Sequence, residues 1–280
     1  MIVIPAALLA VAFGPLEAQT RRVLGRGDPE TQLLGYYAAV MQFTPVGLPA
    51  REGRFEIGGA ATFIPTISDQ DRFAGFGGTK SENTNICPVY PRITASRGFG
   101  RTAIEAGFTP PVQVCGAKAS VLSVAVGRRM TLGRSWEGYA RVSAMSGHVD
   151  VSATCNAEAV ADPLNQTCFE GTPSRDRVAP LGVALEFAAA WQGWRSKHIE
   201  PYVAAGIRYE RINFDVNYSR DILKTFPALD DHNRLRATLS RIHLAAGAAW
   251  DIASHVRLGG EIYYAPGALM TVRGRLAVAL

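Results

Sequence analysis

Five histidines, His148, His198, His232, His243 and His255, are the side chains best suited to proton transfer near neutral pH. Ser240 and His243 offer a nucleophile and a base, but they lie three residues apart. In a strand that spacing puts them on opposite faces, so without a bulge they do not meet. Asp230-Asp231-His232 sets carboxylates beside an imidazole, yet nothing nearby completes an acid–histidine site, and the segment reads as a solvated loop. Gly75-Phe-Gly-Gly-Thr-Lys80 is glycine-rich without the spacing or the following helix that would cradle a phosphate. No catalytic residue, metal site or cofactor is expected, and the chain reads as a non-enzyme.

Four cysteines, Cys87, Cys115, Cys155 and Cys168, form an even set with no CxxC pair and no histidines close by. Zinc is therefore a poor reading and disulfides a good one. Cys155 and Cys168 bracket a polar loop and make the most direct pair; Cys87 with Cys115 follows by elimination. Disulfides need an exported chain. Met1 to Ala18 reads as a secretory signal peptide cleaved before Gln19, with an apolar stretch from Ile2 to Phe13, a Gly14-Pro15 break and a small residue at Ala18. Its lack of Lys or Arg is atypical, and a buried first strand is the competing reading.

A second set of residues could do chemistry on one another. Glu56, Arg92, Glu105, Arg129, Glu137, Arg141, Glu186, Glu200, Arg208, Arg241, His243, Arg257, Glu261, Arg273 and Arg275 all fall on the polar parity of alternating segments. On one enclosed surface they would form a network of charge-assisted hydrogen bonds. The elements that must position them are strands of period two. In 181–191, Leu181, Val183, Leu185, Phe187 and Trp191 alternate with Gly182, Ala184, Glu186 and Ala188. Around 199–210, Val203, Ile207 and Tyr209 oppose Glu200, Gly206, Arg208 and Glu210. From Arg241, Ile242, Leu244, Ala246 and Trp250 oppose Arg241, His243, Gly247 and Asp251.

Ten strands follow, beginning near Arg54, Val89, Arg101, Ala119, Trp136, Val178, Ile199, Arg236, Val256 and Met270. Short turns at Arg97–Gly100, Thr131–Ser135, Gly193–Lys197 and Ala253–His255 alternate with long connections at Thr66–Pro88, Pro110–Lys118, Asp150–Asp176 and Ile212–Leu235. The short link Pro266–Leu269 is the exception on the long side. Of the 280 residues 48% are hydrophobic and 19% charged, and no apolar run reaches the length of a spanning helix outside the leader. An all-β, closed, antiparallel up-and-down transmembrane barrel fits all of this. A secreted β-sandwich is the rival, disfavoured by mid-strand charges on the polar face and by strand length. An even strand count puts both termini on the short-turn side. Trp136, Trp191, Trp194, Trp250, Tyr263 and Tyr264 are expected to form an interfacial girdle at or near that end.

The chain therefore divides into a leader at 1–18, a lead-in at 19–53 and a barrel at 54–280. In the lead-in, Asp28 and Pro29 can open a helix over Thr31–Met41 as N-cap and first position. A periplasmic lead-in, a plug inside the barrel or an extra strand all fit this segment.

The strand HIEPYVAAGIRYERINF at 198–214, the leader and the last strand MTVRGRLAVAL together resemble bacterial outer-membrane β-barrel proteins of the small OmpA/OmpW-like kind. The resemblance is architectural, covers roughly residues 54–280, and points to no one function. It implies a place in the bacterial outer membrane, contact with its lipids, and assembly by the barrel-assembly machinery, which reads a C-terminal strand of alternating apolar residues. Leu276, Val278 and Leu280 match that alternation, with Leu280 where the family usually ends in Phe.

The formal charge of +5 carries no basic run interleaved with aromatics, so nucleic acid is not an expected partner. The function expected is structural or narrow-pore, with disulfide-braced outer loops and a charge-networked lumen that either blocks flow or forms a gated pore. A passive channel for small or amphipathic solutes is the first alternative, a lipid-active enzyme the second.

Overall fold

The computed structural model describes residues 21–280 apart from 45, 68–71, 75–79, 82–87, 166, 195–197 and 221–228. The expected leader at 1–18 and Cys87 lie outside the described residues. Ten strands form the wall: β1 (Phe55–Phe63), β2 (Val89–Phe99), β3 (Thr102–Thr109), β4 (Ala117–Thr131), β5 (Trp136–Val151), β6 (Asp176–Trp191), β7 (Ile199–Asp215), β8 (Arg234–Ala253), β9 (Val256–Ala265) and β10 (Leu269–Ala279). Each pairs antiparallel with the next, and β10 pairs with β1 from Arg273↔Thr62 to Ala279↔Glu56. No barrel edge is left unpaired along its whole length, which removes the hazard of an open sheet. All ten starts lie within two residues of those expected from period two.

The parity of the alternation decides what faces where. Ile57, Ile104, Val124, Val142, Val183, Val203, Ile242, Ile262, Val272 and Leu276 point outward and are exposed around the whole circumference. The alternate positions point inward and carry the charges. Trp136 and Trp250 are exposed near the short turns, and Trp191 meets Trp194 edge-on at 5.2 Å there. Two expected girdle residues are elsewhere. Tyr263 shares the inward parity of Glu261 and is buried in the lumen; Tyr264 points outward at the far end of β9, beside the link to β10. Strand direction, not proximity in sequence to a turn, fixes which end a residue reaches.

Strands β4 to β8 run 15, 16, 16, 17 and 20 residues, longer than the roughly 9–11 a tilted crossing of hydrocarbon needs. On the long-loop side of these strands the pattern inverts. Inward positions become apolar at Val149, Val178, Ile212, Phe214, Ala237 and Leu239, which form one core. Outward positions become polar: Arg177 holds Asp150 at 2.6 Å, Arg236 donates to Asn213 at 3.0 Å, and Arg234 pairs with Asp215. These strands thus rise as a collar, wet outside and oily inside, above an apolar belt.

The expected long connection between β7 and β8 is shorter than anticipated, because both strands extend into the collar and residues Tyr218–Arg220 and Leu229–Asp231 form a small hairpin above them. Cys155 and Cys168 are disulfide-bonded in the β5–β6 loop. Cys115 is also disulfide-bonded. Tyr218 packs on the Cys155–Cys168 bridge and donates to the carbonyl of Thr167 at 3.0 Å. The helix α2 (Ala157–Ala161) inside this loop is capped by the Asn156 side chain, which accepts from the Ala159 N–H at 2.8 Å. Below it the Asp176 carboxylate accepts from Thr154 N, Asn217 N and Ser174 Oγ. Replacing Cys155 and Cys168 together by Ser is expected to loosen the loop by about 2–4 kcal/mol. Limited proteolysis checks this: cleavage between 152 and 175 should accelerate while the barrel stays intact.

Candidate functional site

Most of the described lead-in, from Pro29 on, lies inside the barrel. Its first residues, Arg21–Val23, run parallel to Arg234–Arg236 at the collar, and Leu24 N–H donates to Arg236 O at 2.8 Å. Helix α1 (Pro29–Met41) then descends through the collar, about 20 Å long at 1.5 Å per residue. Asp28 precedes Pro29 as expected, but its carboxylate accepts from Gly25 N–H at 2.8 Å and caps no helical N–H. Arg22 ties the entry through Glu30 at 2.9 Å. The helix is largely apolar, burying Leu33, Leu34, Ala38, Ala39, Val40 and Met41 within the collar, while Gln32 stays exposed. Tyr36 donates its hydroxyl to the Pro65 carbonyl, and burial pushes its pKa above the ordinary tyrosine range. A Cβ on Gly35 would lie 2.2 Å from the Arg241 guanidinium, which would have to swing aside.

Beyond Met41 the chain continues without regular structure, bending at 46–48, to the turn end. Arg92 donates to Met41 O at 2.8 Å, Arg273 to Ala39 O at 3.1 Å and to the Thr44 hydroxyl, and Arg129 to Pro49 O. Glu52 then bridges to Gly98 just before β1 begins. The wall makes room where it must. A Cβ on Gly107 would sit 2.7 Å from the Phe43 ring. Of the three placements open from sequence, the segment combines two features: Arg21–Val23 add a short strand beside β8, and the residues from Pro29 on run down the lumen. The barrel's own ends, near Phe55 and Ala279, lie on the short-turn side as expected, but the chain at Arg21 lies at the opposite mouth, because the lead-in crosses the lumen.

The expected charged set gathers around this thread. Arg141 bridges Glu105, at 3.2 Å, and Glu186. The other Glu186 oxygen meets His243 Nε2 at 3.0 Å, and the His243 ring stacks on Tyr263 at 5.5 Å. Arg275 reaches Glu56 at 3.0 Å. Glu200 holds Arg257 and also Arg51 of the plug at 3.5 Å. Arg129 pairs with Glu137 at 2.6 Å. Glu261 accepts from Tyr202 Oη at 2.7 Å and faces Arg273 at 3.7 Å. Arg208 donates to Tyr263 at 3.1 Å, and Arg241 to Gly267 O at 3.4 Å. Ser240 points outward, away from His243. His148 sits 3.7 Å from Asp150 outside the collar.

Glu210, Tyr139, Tyr202 and Tyr263 are among the network residues absent from the expected set. Glu210 is fully buried 3.6 Å from Arg208, with neither carboxylate oxygen hydrogen-bonded. Its parity with Arg208 was a sufficient signal. Tyr139, Tyr202 and Tyr263 enter because a barrel interior admits aromatic rings whose hydroxyls find carboxylates or guanidinium groups.

No protein-family model matches the chain, and no curated protein matches it. Solved structures resemble it only distantly. The translocator domain of the autotransporter NalP from Neisseria meningitidis aligns over 87% of this chain and 92% of its own, at 11% identity and a TM-score of 0.34. The attachment invasion locus protein Ail of Yersinia pestis covers 81% and 93%, at 7% identity and 0.25. The outer-membrane channel DcaP of Acinetobacter baumannii covers 84% and 100%, at 10% identity and 0.21. The closed barrel itself rests on this chain's own strand pairing.

Proposed function

We propose that the protein is an integral β-barrel of the bacterial outer membrane whose lumen is closed by its own N-terminal segment, serving a structural role rather than free passage of solutes. The observation that carries this reading is the thread from Leu24 to Glu52, gripped by arginines from three wall strands through its backbone carbonyls. Such grips are specific to a chain in place, since a carbonyl accepting from guanidinium is a strong, directional contact. The membrane placement is supported by the circumferential apolar exterior and by the switch to polar residues outside the collar. A disulfide in the β5–β6 loop suits an oxidising compartment. The C-terminal strand presents Leu276, Val278 and Leu280 outward, as recognition by the assembly machinery would need. A non-enzymatic role is part of this proposal, and it is supported by the place of His243 within the charge network, against Glu186 and Tyr263.

The full-length protein is expected in the outer-membrane fraction, to shift on gels when heated, and to show no steady conductance in planar bilayers. A freely soluble periplasmic product overturns the placement, and regular single-channel openings overturn the closed lumen.

A further inference from the structure

The barrel wall is notched between β2 and β3. The β1–β2 ladder continues to Phe63↔Val89, but the β2–β3 ladder stops at Ile93↔Phe108. Val89–Arg92 therefore have no strand partner on the β3 side among the described residues. Pro91 on one side and Pro110-Pro111 on the other have no N–H with which to extend that ladder. Elsewhere the collar exterior carries Arg177, Asp150, Arg234 and Asp215; at the notch the exposed rim is Val89, Phe108, Val112 and Val114. An aqueous surface has no reason to present that rim. It continues the apolar belt.

Behind the notch lies a cavity of about 120 Å³, between α1 and the collar wall. Tyr37 and Val40 form its inner side, and Ala119, Val149 and Val178 line the wall. Its lining is almost wholly apolar. An apolar space of this kind, open on one side, favours apolar ligands over water; an engineered apolar cavity of about 150 Å³ holds benzene. Arg92 does not line the cavity, being held by Met41 O and stacked over Phe43 at 5.2 Å.

We propose that this pocket holds a hydrocarbon chain, entering through the notch between β2 and β3. The chain can belong to a membrane lipid or to a free amphiphile, since both offer the same methylenes. The two sources separate by experiment. In one arm, the full-length protein in vesicles of phosphatidylcholine bearing a diazirine on its acyl chain is irradiated, and adducts are mapped by mass spectrometry. In the other, the detergent-solubilised protein is irradiated with diazirine-labelled dodecanoate.

Adducts at Ala119, Val149 or Val178, which face inward, are expected at several times the background of other inward residues. In the vesicle arm they assign lipid as the source; in the detergent arm alone they assign a free amphiphile. Ala119→Phe, which fills the pocket, should cut inward labelling at least five-fold and leave labelling of outward Leu122 unchanged. Val178→Met is a milder filling variant that should lower it part-way. Adducts confined to outward residues in both arms, or inward labelling indifferent to filling, overturn the proposal. The detergent arm needs no membrane, so its result is independent of the placement proposed above.

Discussion

Deleting residues 24–50 is expected to turn a silent barrel into a conducting one. In the turn-side half the lumen is shared between the thread and the charged wall, and removal of the thread leaves a column that only water can fill. Arg92, Arg129 and Arg273 would each lose a backbone carbonyl partner. Charge-assisted bonds of this kind are worth about 1.5–3 kcal/mol apiece, but water entering the vacated column would resolvate the guanidinium groups. The wall ladders are untouched, so the barrel should persist at lower stability. Single-channel recording of the deletion protein checks this. A variant that keeps its heat-dependent gel shift yet remains silent would show that wall side chains alone seal the lumen.

Arg141→Leu should be the most damaging single substitution in the charge network. Its guanidinium is the shared partner of Glu105 and Glu186, all three nearly inaccessible to solvent. Removing it leaves Glu105 with the Tyr139 hydroxyl and Glu186 with His243 but neither with a guanidinium, and losing one partner of a buried ion pair costs about 3–5 kcal/mol. Desolvation already opposes the intact pairing, so the damage comes from the under-compensated carboxylates and not from a large native gain. Adding Glu105→Gln to Arg141→Leu should recover part of the loss. By contrast Arg177→Ala, on the collar exterior with its side chain 53% exposed, should cost no more than about 1 kcal/mol. Urea unfolding in lipid vesicles, followed by gel shift, separates these three variants. Equal losses for Arg141→Leu and Arg177→Ala would contradict the buried-network account.

Most of the wall was legible in the sequence because lipid and lumen impose opposite demands on alternate residues. Leu181, Val183 and Leu185 against Gly182, Ala184 and Glu186 need no further information to be read as a strand with two fates. The parity of Arg208, Arg273 and Glu261 likewise placed them inside. The collar was not read because there the rule reverses: Ile212 and Phe214 share the parity of Arg208 and Glu210, while Arg211 and Asp215 take the outward positions. An inversion of parity along one strand was the available signal that the wall leaves hydrocarbon and meets an internal apolar partner. The helix was legible at Pro29, but its location was not, since a largely apolar helix states only that it is enclosed. Tyr263 was misplaced for a related reason: an aromatic near a strand end suits a girdle or a lumen equally, until strand direction and parity are both applied.

The thread and the closing ladder have a joint consequence for assembly. Glu52 is tied to Gly98 two residues before Arg54, and the strand that follows is the one that must zip to β10 from Thr62↔Arg273 to Glu56↔Ala279. That closure joins residues more than two hundred positions apart, a slow kind of contact to form. A ring fastened first could admit the thread only by passing a free end through it. A ring fastened last can be built around a strand of chain already laid in its axis, so the arginine grips would act as a mandrel on which the cylinder is rolled shut.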